Sequence, residues 1–477
     1  MDIRSFLAAA EARGWVRRIP ATVDPRLELA GVIHALGEEP TVFDSVVGWP
    51  GRVVAGLCSR RRHFALALGV EEAELLPTLV RALRQPAPPV GTPPGQGDAA
   101  LPSRIAQVGT SPSIATPQAP CQQVIIEDVD LRRLPILTHF AEDGGPYVTA
   151  GVAIIRDPEV GRNLAFHRLM LVGPRSCTVR LVEGRGTYNA WRRARADGRR
   201  PGFLPMAVCI GAPLAVQLAA AMSPAPGVDE MAIANALVPT PVVRAVGLDL
   251  EIPAESEIVL EGYLTQELGP EGPFVDLTRT RDFVRQQPYF VVERITHRRD
   301  PLYQALLPGG YEHKLLMGVP REPTIYDAVQ SVCPCRDVVI TPGGGYWLHA
   351  VVQIAKTSPD DGRAAIEAAF RGHSSLKHVV VVDEDVDPHN MEEVEWAIAT
   401  RFQAHRDLHV FQDQPSSSLD PSAQHIPGQK ARTSKMGLDA TIHWDTPSGP
   451  SRVADYQAIS YGQVDLSHYL PKGKGAT

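Results

Sequence analysis

Short β-rich segments, separated by turn residues, fill the sequence from about residue 120 to residue 320, and this texture constrains the fold most. Two helical patterns interrupt them, at about 187–197 and 213–222. Because each sheet edge leaves unpaired backbone groups, so many short strands favour a closed or nearly closed β-barrel. The segments are CQQVIIEDV, YVTAGVAIIRD, NLAFHRLMLVG, CTVRLVEG, PVVRAVGLDLEI, SEIVLEGYLT and YFVVERITHR.

Helical and strand patterns alternate on both sides of this β-rich region. The first helix is predicted over residues 2–13 with Asp2 as its cap, and a Pro- and Gly-rich stretch, RQPAPPVGTPPGQGDAALP, is predicted to be a linker or long surface loop. After residue 320, Val-rich segments between helical patterns predict a mostly parallel sheet covered by helices. The fold class is therefore mixed α/β, with predicted domains at 1–115, 116–320 and 321–445 and a C-terminal arm at 446–477.

Charge and hydropathy exclude several classes of partner. The 477 residues carry a net charge of only −7, from 54 acidic and 47 basic side chains, which argues against nucleic acid or an anionic membrane as a partner. No apolar run reaches the ~18 residues of a membrane helix, and the N-terminus lacks a signal-peptide pattern, so a cytoplasmic location is expected. Scattered cysteines in apolar surroundings are expected to be reduced and buried: Cys58, Cys121, Cys177, Cys209, Cys333 and Cys335.

The stretch GPEGPFVD, residues 269–276, holds two carboxylates on a turn built from glycine and proline. A carboxyl group in an apolar pocket keeps its proton to higher pH, whereas one beside an arginine stays ionised. Glu271 and Asp276 are therefore candidates for a tuned pair, one charged and one able to deliver a proton. The alternative is a surface turn with two solvated acids.

The segment GRNLAFHRLMLVG places Asn163 and Arg168 on a strand that otherwise looks buried. Side chains alternate along a strand, so two residues five apart point to opposite faces. A bulge or bend is therefore required if both residues serve one site. A solvated strand face is the alternative for the arginine.

Two further segments carry single candidate residues. Glu230 follows a Pro- and Gly-rich loop and opens a helical pattern in which Asp229 is a possible cap. Glu230 either complements the helix dipole or supplies an oxygen ligand to a hard cation. Lys435, in TSKMGLDATIHW, is a candidate for holding a phosphate.

Taken together, three of these stretches resemble the signatures of the UbiD family of reversible decarboxylases. They are NLAFHR, SEIVLEGYLTQELGPEGPFVDLT and SKMGLDAT, and the resemblance extends from about residue 5 to residue 445. The most specific element is EIVLEG followed by PEGP, with an acid five residues after the glutamate.

The resemblance implies an N-terminal α/β domain, a central split β-barrel domain that binds a flavin, and a C-terminal α/β domain that dimerises, giving a homodimer or a hexamer. It implies prenylated FMN as the cofactor, supplied by a separate flavin prenyltransferase. It also implies that a divalent metal, Mn²⁺ or Mg²⁺, holds the flavin phosphate, with K⁺ nearby.

The same resemblance implies roles for individual residues. The catalytic network would be Arg168, Glu271 and Asp276; the metal ligands would be Asn163 and Glu230, with the carbonyl of Met222 near K⁺; the backbone of Ala165, Phe166 and His167 would lie against the flavin, and Lys435 at its phosphate. Two positions depart from the family pattern. The usual third metal ligand, a histidine, is absent from VRLVEGRGTYNAW, where Glu183 or water is the candidate replacement, and Asp276 stands where many members have glutamate.

The implied activity is reversible, non-oxidative removal of CO₂ from an α,β-unsaturated or (hetero)aromatic carboxylic acid through a covalent adduct with prenylated FMN. Arg168 would orient the substrate carboxylate and Asp276 would donate the replacing proton. His313 and Lys314 are candidates for contacting a second polar group of the substrate, and the alternative is two surface residues at the start of a helix. The high content of Ala, Arg, Gly and Pro suggests a bacterium with a GC-rich genome. Such a source permits a role in specialised metabolism, such as removal of a carboxylate from a polyketide-type unsaturated acid.

Two alternatives compete with this interpretation. One is a flavin-binding or assembly protein of the same fold without turnover, since the third metal ligand is missing. The other is a metal-dependent decarboxylase or hydrolase without flavin, which would use the acids of VVDEDVD at 381–387. For that run, solvated acids at the end of a strand are the simpler interpretation.

Overall fold

A computed structural model describes residues 1–89, 119–196, 203–426, 429–446 and 449–450, with residues 456, 459, 462–465 and 468–469. Most of the predicted linker and most of the predicted C-terminal arm lie outside these residues. Within the described ranges, no helix combines the length and hydropathy needed to cross a bilayer.

The N-terminal part is a small α/β unit, as the sequence predicts. Asp2 caps the first helix by accepting a hydrogen bond from the backbone N–H of Ser5 at 2.8 Å. The sheet has the order β1-β2-β3-β17, and its last strand, β17 (Leu302–Gln304), comes from far along the chain and pairs in parallel with β3. The other elements are α1 Ile3–Glu11, β1 Arg17–Val23, α2 Glu28–Ala35, β2 Thr41–Val46, β3 Arg52–Ala55, α3 Arg61–Leu68 and α4 Leu75–Arg84.

One hydrophobic core extends from this unit into the β-rich region. Ile3 and Phe6 of α1 are fully buried in the same cluster as Val216, Leu218 and Met231. This shared core fixes the N-terminal unit against the β-rich region. All six cysteines are free and buried, which confirms the expectation from their apolar surroundings.

The β-rich region forms one nine-stranded sheet with the order β5-β8-β9-β16-β13-β10-β6-β7, and β4 pairs with β16. Its two longest strands, β13 and β16, are antiparallel neighbours. The elements are β4 Val124–Ile126, β5 Tyr147–Val148, β6 Gly151–Asp157, β7 Gly161–Phe166, β8 Leu169–Leu171, β9 Ser176–Val179, α5 Gly186–Ala196, β10 Leu204–Ile210, α6 Leu214–Ala221, α7 Glu230–Leu237, β11 Val242–Arg244, β12 Glu251–Pro253, β13 Ile258–Glu271, β14 Phe274–Val275, β15 Arg281–Asp282 and β16 Arg285–His297.

This sheet is curved but not closed by any described strand pairing. β7 is the last strand of the path and β8 is the second, yet only His167 and Arg168 separate them in the chain. Two residues span at most about 11 Å between flanking Cα atoms, so the sheet must curl until its two ends approach. The pairings therefore do not confirm the predicted split barrel, although the sheet curls so that its two ends approach each other.

The C-terminal part is a five-stranded sheet with the order β18-β19-β20-β22-β21. The prediction of a mostly parallel sheet is wrong, because only two of its four pairings are parallel, β19 with β20 and β20 with β22. The Val-rich strand β20 lies between those two parallel partners, which explains the misleading pattern. The elements are α8 Tyr311–Gly318, α9 Glu322–Gln330, β18 Cys335–Ile340, β19 His349–Ile354, α10 Asp361–Gly372, β20 His378–Asp383, α11 Met391–Arg401, α12 Ala404–Asp407, β21 Leu408–Pro415, β22 Arg432–Asp439, β23 Asp445–Thr446 and β24 Gly449–Pro450.

Candidate active site

The acidic turn connects the long strand β13 to a two-stranded hairpin. Glu271 is the last residue of β13, and Gly272 follows with φ of 101°, a left-handed conformation that glycine adopts without strain. In the hairpin, Phe274 of β14 is paired with Asp282 of β15. The turn and hairpin therefore present three carboxylates, those of Glu271, Asp276 and Asp282, within twelve residues of chain.

Arg168 binds all three carboxylates. Its Nε and Nη2 donate to the two oxygens of Glu271 at 2.8 and 2.9 Å, its Nη1 donates to Asp276 at 2.6 Å, and Nη2 also donates to Asp282 at 2.8 Å. Glu271 lies 103 residues away in sequence, so only the fold unites this network. The structure thus brings together the three residues that the sequence proposed as a catalytic network, and excludes the solvated-turn alternative for Glu271.

The location of Arg168 explains why its side chain does not follow the alternating directions of the side chains on β7. The residue lies in the two-residue break between β7 and β8, after the strand that carries Asn163. Asn163 therefore follows the geometry of β7, while Arg168 is freed from it. The bend that the sequence required is this break.

Burial makes the network strongly electrostatic. The side chains of Arg168 and Asp282 are 8% and 9% exposed, and that of Glu271 is 0% exposed. Burial opposes the charge on Arg168, but the hydrogen bonds and charges of its carboxylate partners, Glu271 foremost, outweigh it and raise the pKa of the guanidinium. For Asp282, burial is likewise outweighed by Arg168 and by Arg285, so its pKa lies below the usual value.

Aromatic rings form one wall of the network. The guanidinium of Arg168 lies 4.5 Å from the centroid of the Phe274 ring, and Tyr147 packs on Phe274 at 4.6 Å. The Tyr147 hydroxyl is 3.4 Å from a Glu271 oxygen. Sequence reasoning missed Asp282, Phe274 and Tyr147. The hairpin pattern FVDLTRTRDF is a local signal for Asp282, whereas no local pattern identifies Tyr147.

A second group of residues joins β7 to the start of α7. Glu230 accepts hydrogen bonds from the Asn163 amide and from the backbone N–H of Leu164, both at 3.0 Å. Asp229 caps α7 by accepting from the Met231 N–H at 2.9 Å, and Arg162 clamps Asp229 at 2.6 Å. The structure therefore unites the two predicted metal ligands and confirms Asp229 as the cap.

Glu230 is buried without a basic partner among the described residues. Its side chain contacts only the hydrogen-bond donors of β7 and lies near the acidic Asp229, and burial raises its pKa to about 7. Burying a carboxylate without a counter-charge is unfavourable, and a bound cation relieves that cost. The chemistry of this pair, one carboxylate oxygen and one amide oxygen, suits a hard divalent ion.

Glu183 does not complete this pair. Its side chain is 62% exposed and lies 3.4 Å from Arg180. The Thr187 hydroxyl instead contacts Asn163 Oδ1 at 3.1 Å and His167 Nε2 at 2.9 Å, and a side chain on Gly186 would begin only 2.9 Å from Asn163 Oδ1. No group of three or more histidine, cysteine or acidic side chains suited to a metal occurs in the described part of the chain.

The remaining predicted residues are more dispersed. Lys435, on β22, is buried and donates from Nζ to the Ser374 carbonyl at 2.8 Å, and burial lowers its pKa to about 8. Lys435 forms no hydrogen bond or ion pair with Asn163 or Glu230. Met222 ends α6 and is buried, while Ala165 and Phe166 are half-buried at the end of β7.

His313 and Lys314 lie in the first turn of α8. His313 Nδ1 accepts from the Gly309 N–H at 3.0 Å, and burial lowers the pKa of His313 although the nearby Asp276 opposes this shift. Lys314 is buried, yet its Nζ forms neither a hydrogen bond nor an ion pair with any described residue. These residues are therefore not the exposed helix-start residues of the alternative interpretation.

Three of the four acids in the run at 381–387 pair with arginines. Asp383 and Asp385 both pair with Arg401, at 3.0 and 2.7 Å, and Glu384 pairs with Arg336 at 2.6 Å. These contacts leave the run without the features of a metal centre, and they show ion-paired acids at the strand end where the sequence predicts solvated acids.

Family models match nearly the whole chain, and the chain belongs to the UbiD family of decarboxylases. The models are those of the 3-octaprenyl-4-hydroxybenzoate carboxy-lyase N-terminal domain at residues 7–83, the Rift-related domain at 113–311 and the C-terminal domain at 314–440.

Curated relatives of this chain carry a more specific description. The anhydromevalonate phosphate decarboxylase of Methanosarcina mazei is 39% identical over 443 residues, which cover 92% of this chain and 96% of that protein. The protein of the same name from Methanothermobacter thermautotrophicus is 41% identical over 394 residues, covering 82% and 85%.

Solved structures of the family share the fold. The UbiD-class enzyme HmfF from Pelotomaculum thermopropionicum in complex with FMN has a TM-score of 0.86 and 34% identity, covering 98% of this chain and 100% of that one. An evolved dimeric form of HmfF with prFMN has a TM-score of 0.82, 33% identity and the same coverage. The apo 3,4-dihydroxybenzoic acid decarboxylase of Enterobacter cloacae has a TM-score of 0.84 and 25% identity, covering 99% of each chain.

The packing of Gly144 against the acidic turn generates a prediction. A Cβ on Gly144 would overlap the carbonyl oxygen of Gly272, whereas a Cβ on Gly145 would meet the Leu171 carbonyl oxygen at an ordinary 3.7 Å. Gly144→Ala should therefore displace Glu271 and lower kcat/KM by at least about tenfold, because small misplacements at a reacting centre are costly. Gly145→Ala is the matched control and should retain activity; equal activity of the two variants would contradict this packing argument.

The buried ion pair generates a second prediction. Arg168→Met leaves Glu271 buried without its counter-charge and should lower the free energy of unfolding by about 3–5 kcal/mol. The double variant Arg168→Met/Glu271→Gln should be less destabilised, because the orphaned charge is removed. Urea denaturation measures both effects. The exposed pair of Arg336 and Glu384 is the control, for which Arg336→Met should cost no more than about 1 kcal/mol.

Proposed function

We propose that this chain is a prenylated-FMN-dependent decarboxylase that removes CO₂ from an α,β-unsaturated carboxylic acid bearing a phosphate group. The observation that carries the proposal is the buried Arg168, held between Glu271 and Asp276 in a chain of this family. The relatives named anhydromevalonate phosphate decarboxylase support the substrate class. A role in specialised metabolism stays a prediction.

The cofactor assignment follows from the chemistry. Loss of CO₂ from an sp² carbon leaves an electron pair that no side chain can accept, and prenylated FMN, when bound, supplies that electron sink. The neighbours solved with FMN and prFMN support a flavin here. We assign the backbone of Ala165, Phe166 and His167 to the face that lies against the flavin, with a flavin prenyltransferase as its supplier.

The assignment of hydrogen-bond donors and acceptors around Asn163 supports a divalent metal, Mn²⁺ or Mg²⁺, at this position. Burial lowers the pKa of His167 to about 4, and its Nδ1 lies 3.0 Å from the Arg180 carbonyl, so Nδ1 donates and Nε2 must accept. The single Thr187 proton then goes to Nε2, so Asn163 Oδ1 receives no proton from Thr187 while the amide nitrogen faces Glu230. Turning the amide over, with its NH₂ toward Thr187, satisfies these contacts and would place its oxygen about 3 Å from a Glu230 oxygen, a pair that suits a bound cation.

Asn163 and Glu230 would hold this metal, with water in place of the missing third protein ligand. The carbonyl of Met222 is assigned to K⁺. The proposed organisation has domains at 1–115, 116–320 and 321–445 and an arm at 446–477. We propose that the C-terminal domain forms a homodimer or a hexamer. The evolved dimeric form of HmfF supports the dimer.

The different burial of Glu271 and Asp276 supports Asp276 as the carboxylate that gives way to substrate. Glu271 holds Arg168 through two bonds and is fully buried, whereas Asp276 holds it through Nη1 alone and is 15% exposed. A substrate carboxylate therefore takes the place of Asp276 on Nη1, while Glu271 keeps the guanidinium in position. The released Asp276 carboxylate, no longer beside a cation, takes up a proton from solvent and then donates that proton to the carbon that CO₂ has left.

Unpaired cations near this centre suit a phosphate. Lys314 is buried, and its pKa is lowered first by burial and then by the neighbouring Arg279, while the charge of Glu38 opposes the shift without forming an ion pair. Arg279 contacts the Gly309 carbonyl at 3.3 Å and no carboxylate within 4.0 Å among the described residues. The backbone N–H of Arg279 donates to the Asp276 carbonyl at 2.8 Å, so a phosphate held by Arg279 and Lys314 would lie near the turn that carries the proposed proton donor.

Turnover tests the proposal directly. After co-expression with a flavin prenyltransferase, the purified protein should be coloured and should release CO₂ from anhydromevalonate phosphate. Asp276→Asn should keep the colour and lose at least about 100-fold in kcat, since general acid catalysis supplies about 10²–10⁴-fold. Asp276→Glu, which keeps a carboxyl group, should recover most of the rate. Colour without turnover across phosphorylated, unphosphorylated and aromatic acids would favour the flavin-binding protein instead.

Lys314 tests the substrate class. Lys314→Gln should raise the KM for the phosphorylated acid by at least about tenfold, because a hydrogen bond between charged groups is lost. Its kinetics with the dephosphorylated acid should not change. Lys314→Arg, which keeps the charge, is the control and should retain most of the selectivity. An equal effect of Lys314→Gln on both acids would remove Lys314 from phosphate recognition.

A further inference from the structure

Arg321 is a buried arginine without a counter-ion. It lies just before α9, is 9% exposed, and its guanidinium forms no hydrogen bond or ion pair with any described residue. The adjacent Glu322 does not serve it, because that carboxylate is bound by Arg61 at 2.8 Å. The Arg321 guanidinium lies 5.6 Å from the centroid of the Trp347 ring. Such a charge is costly to bury unless a ligand compensates it.

Other basic groups surround Arg321. His373 packs edge-on against Trp347 at 4.5 Å, and its Nε2 is buried without a hydrogen bond. Burial and then the charge of Arg321 hold the pKa of His373 well below its usual value, so its ring contributes a neutral N–H donor to this group. Lys435 donates to the carbonyl of Ser374, the residue after His373. Burial and the charge of Arg185 together lower the pKa of Arg321 to about 9, and no acid opposes this shift. We call these four residues the cation cluster: Arg185, Arg321, His373 and Lys435.

The cation cluster lies beside the Asn163–Glu230 pair. Arg185 directly precedes Gly186, whose Cα packs against the Asn163 amide. Arg185 also reaches Ser223, the residue after Met222, at 3.5 Å. A group bound between the cluster and the pair would therefore meet basic side chains on one side and the proposed divalent cation on the other. A phosphate monoester, with two negative charges and several acceptor oxygens, is the chemical group that fits both.

We propose that Arg321 and His373, with Arg185 and Lys435, bind the terminal phosphate of the flavin directly. This inference rests on the proposed function only in that the cofactor is a flavin mononucleotide. It assigns Arg321 and His373, which the sequence motifs do not identify, as binding residues. It also explains how a chain with only two protein ligands for the metal retains its cofactor, because the phosphate is held by protein cations as well.

A comparison of FMN with riboflavin, which differs from it only by the phosphate, isolates this interaction. Affinities for the apoprotein are measured by quenching of flavin fluorescence in EDTA, so that no divalent metal contributes. Wild type should prefer FMN strongly. Arg321→Met should weaken FMN binding by at least about tenfold and leave riboflavin binding unchanged, because only the phosphate loses a partner. The melting temperature of the apoprotein should rise, because an uncompensated buried charge is removed.

Arg321→Lys and Arg336→Met are the controls. The first keeps the charge and should retain part of the preference for FMN, and the second alters an exposed, paired arginine and should change nothing. Should Arg321→Met fail to fold, His373→Gln is measured in the same way and should lose part of the preference. Failure of the wild type to bind FMN both in EDTA and with added Mn²⁺ would sink the proposed cofactor, whereas binding only with Mn²⁺ would overturn this inference. Tight FMN binding by wild type with an unchanged FMN preference in the Arg321 and His373 variants would overturn this inference alone.

Discussion

The pairing of one guanidinium with three carboxylates is the interaction on which the rest of the site depends. Arg168 joins the β7–β8 break to the turn after β13, two parts of the chain that are 103 residues apart. Each partner is buried enough that its charge requires compensation, so the strands, the turn and the hairpin are held in one arrangement. The two hydrogen bonds that Glu271 accepts fix the plane of the guanidinium, and Asp276 is held by a single bond. On the proposed function, this single bond is the one that a substrate carboxylate would replace.

The short link between β7 and β8 gives this pairing its position. Because these strands lie near opposite ends of the sheet path, the two connecting residues stand where the curled sheet brings its ends together. Asn163, before the break, contacts α7, and Arg168, after it, contacts the hairpin. One stretch of six residues thus serves two chemically different neighbourhoods, an oxygen-rich one and an ion-paired one. In a regular strand, alternation would direct these two side chains to opposite faces of the sheet. The break instead sets the direction of Arg168 independently of that of Asn163.

The sequence predicted those parts of the site that lie within continuous motifs. Glu271 and Asp276 stand on one turn, and the resemblance to a family connected them to Arg168. Tyr147 escaped prediction because its contacts with Phe274 and Glu271 arise only when distant strands meet. Glu183 illustrates the reverse error: its residue type suits a metal, yet its side chain points to solvent beside Arg180. In the C-terminal sheet, the Val-rich pattern of β20 correctly predicted parallel neighbours for that strand. It did not predict that the outer strands, β18 and β21, pair antiparallel. Local patterns specify what an element is, whereas register and strand order depend on residues far along the chain.

Charge balance relates the two halves of the site. Around Arg168 the carboxylates outnumber the arginines, whereas Arg321 and Lys314 are buried with no carboxylate within ion-pairing distance among the described residues. A folded protein keeps buried cations of this kind only where their cost is offset by the rest of the structure or by a ligand. A flavin phosphate at one cation group and a substrate phosphate at the other would supply the missing negative charge. The acids around Arg168 would then have the opposite task, since they hold one cation ready and exclude every anion that cannot displace Asp276. On the proposed function, selectivity for a substrate with both a carboxylate and a phosphate would arise from where the chain leaves charges unpaired, and the network around Arg168 would need to recognise only the carboxylate.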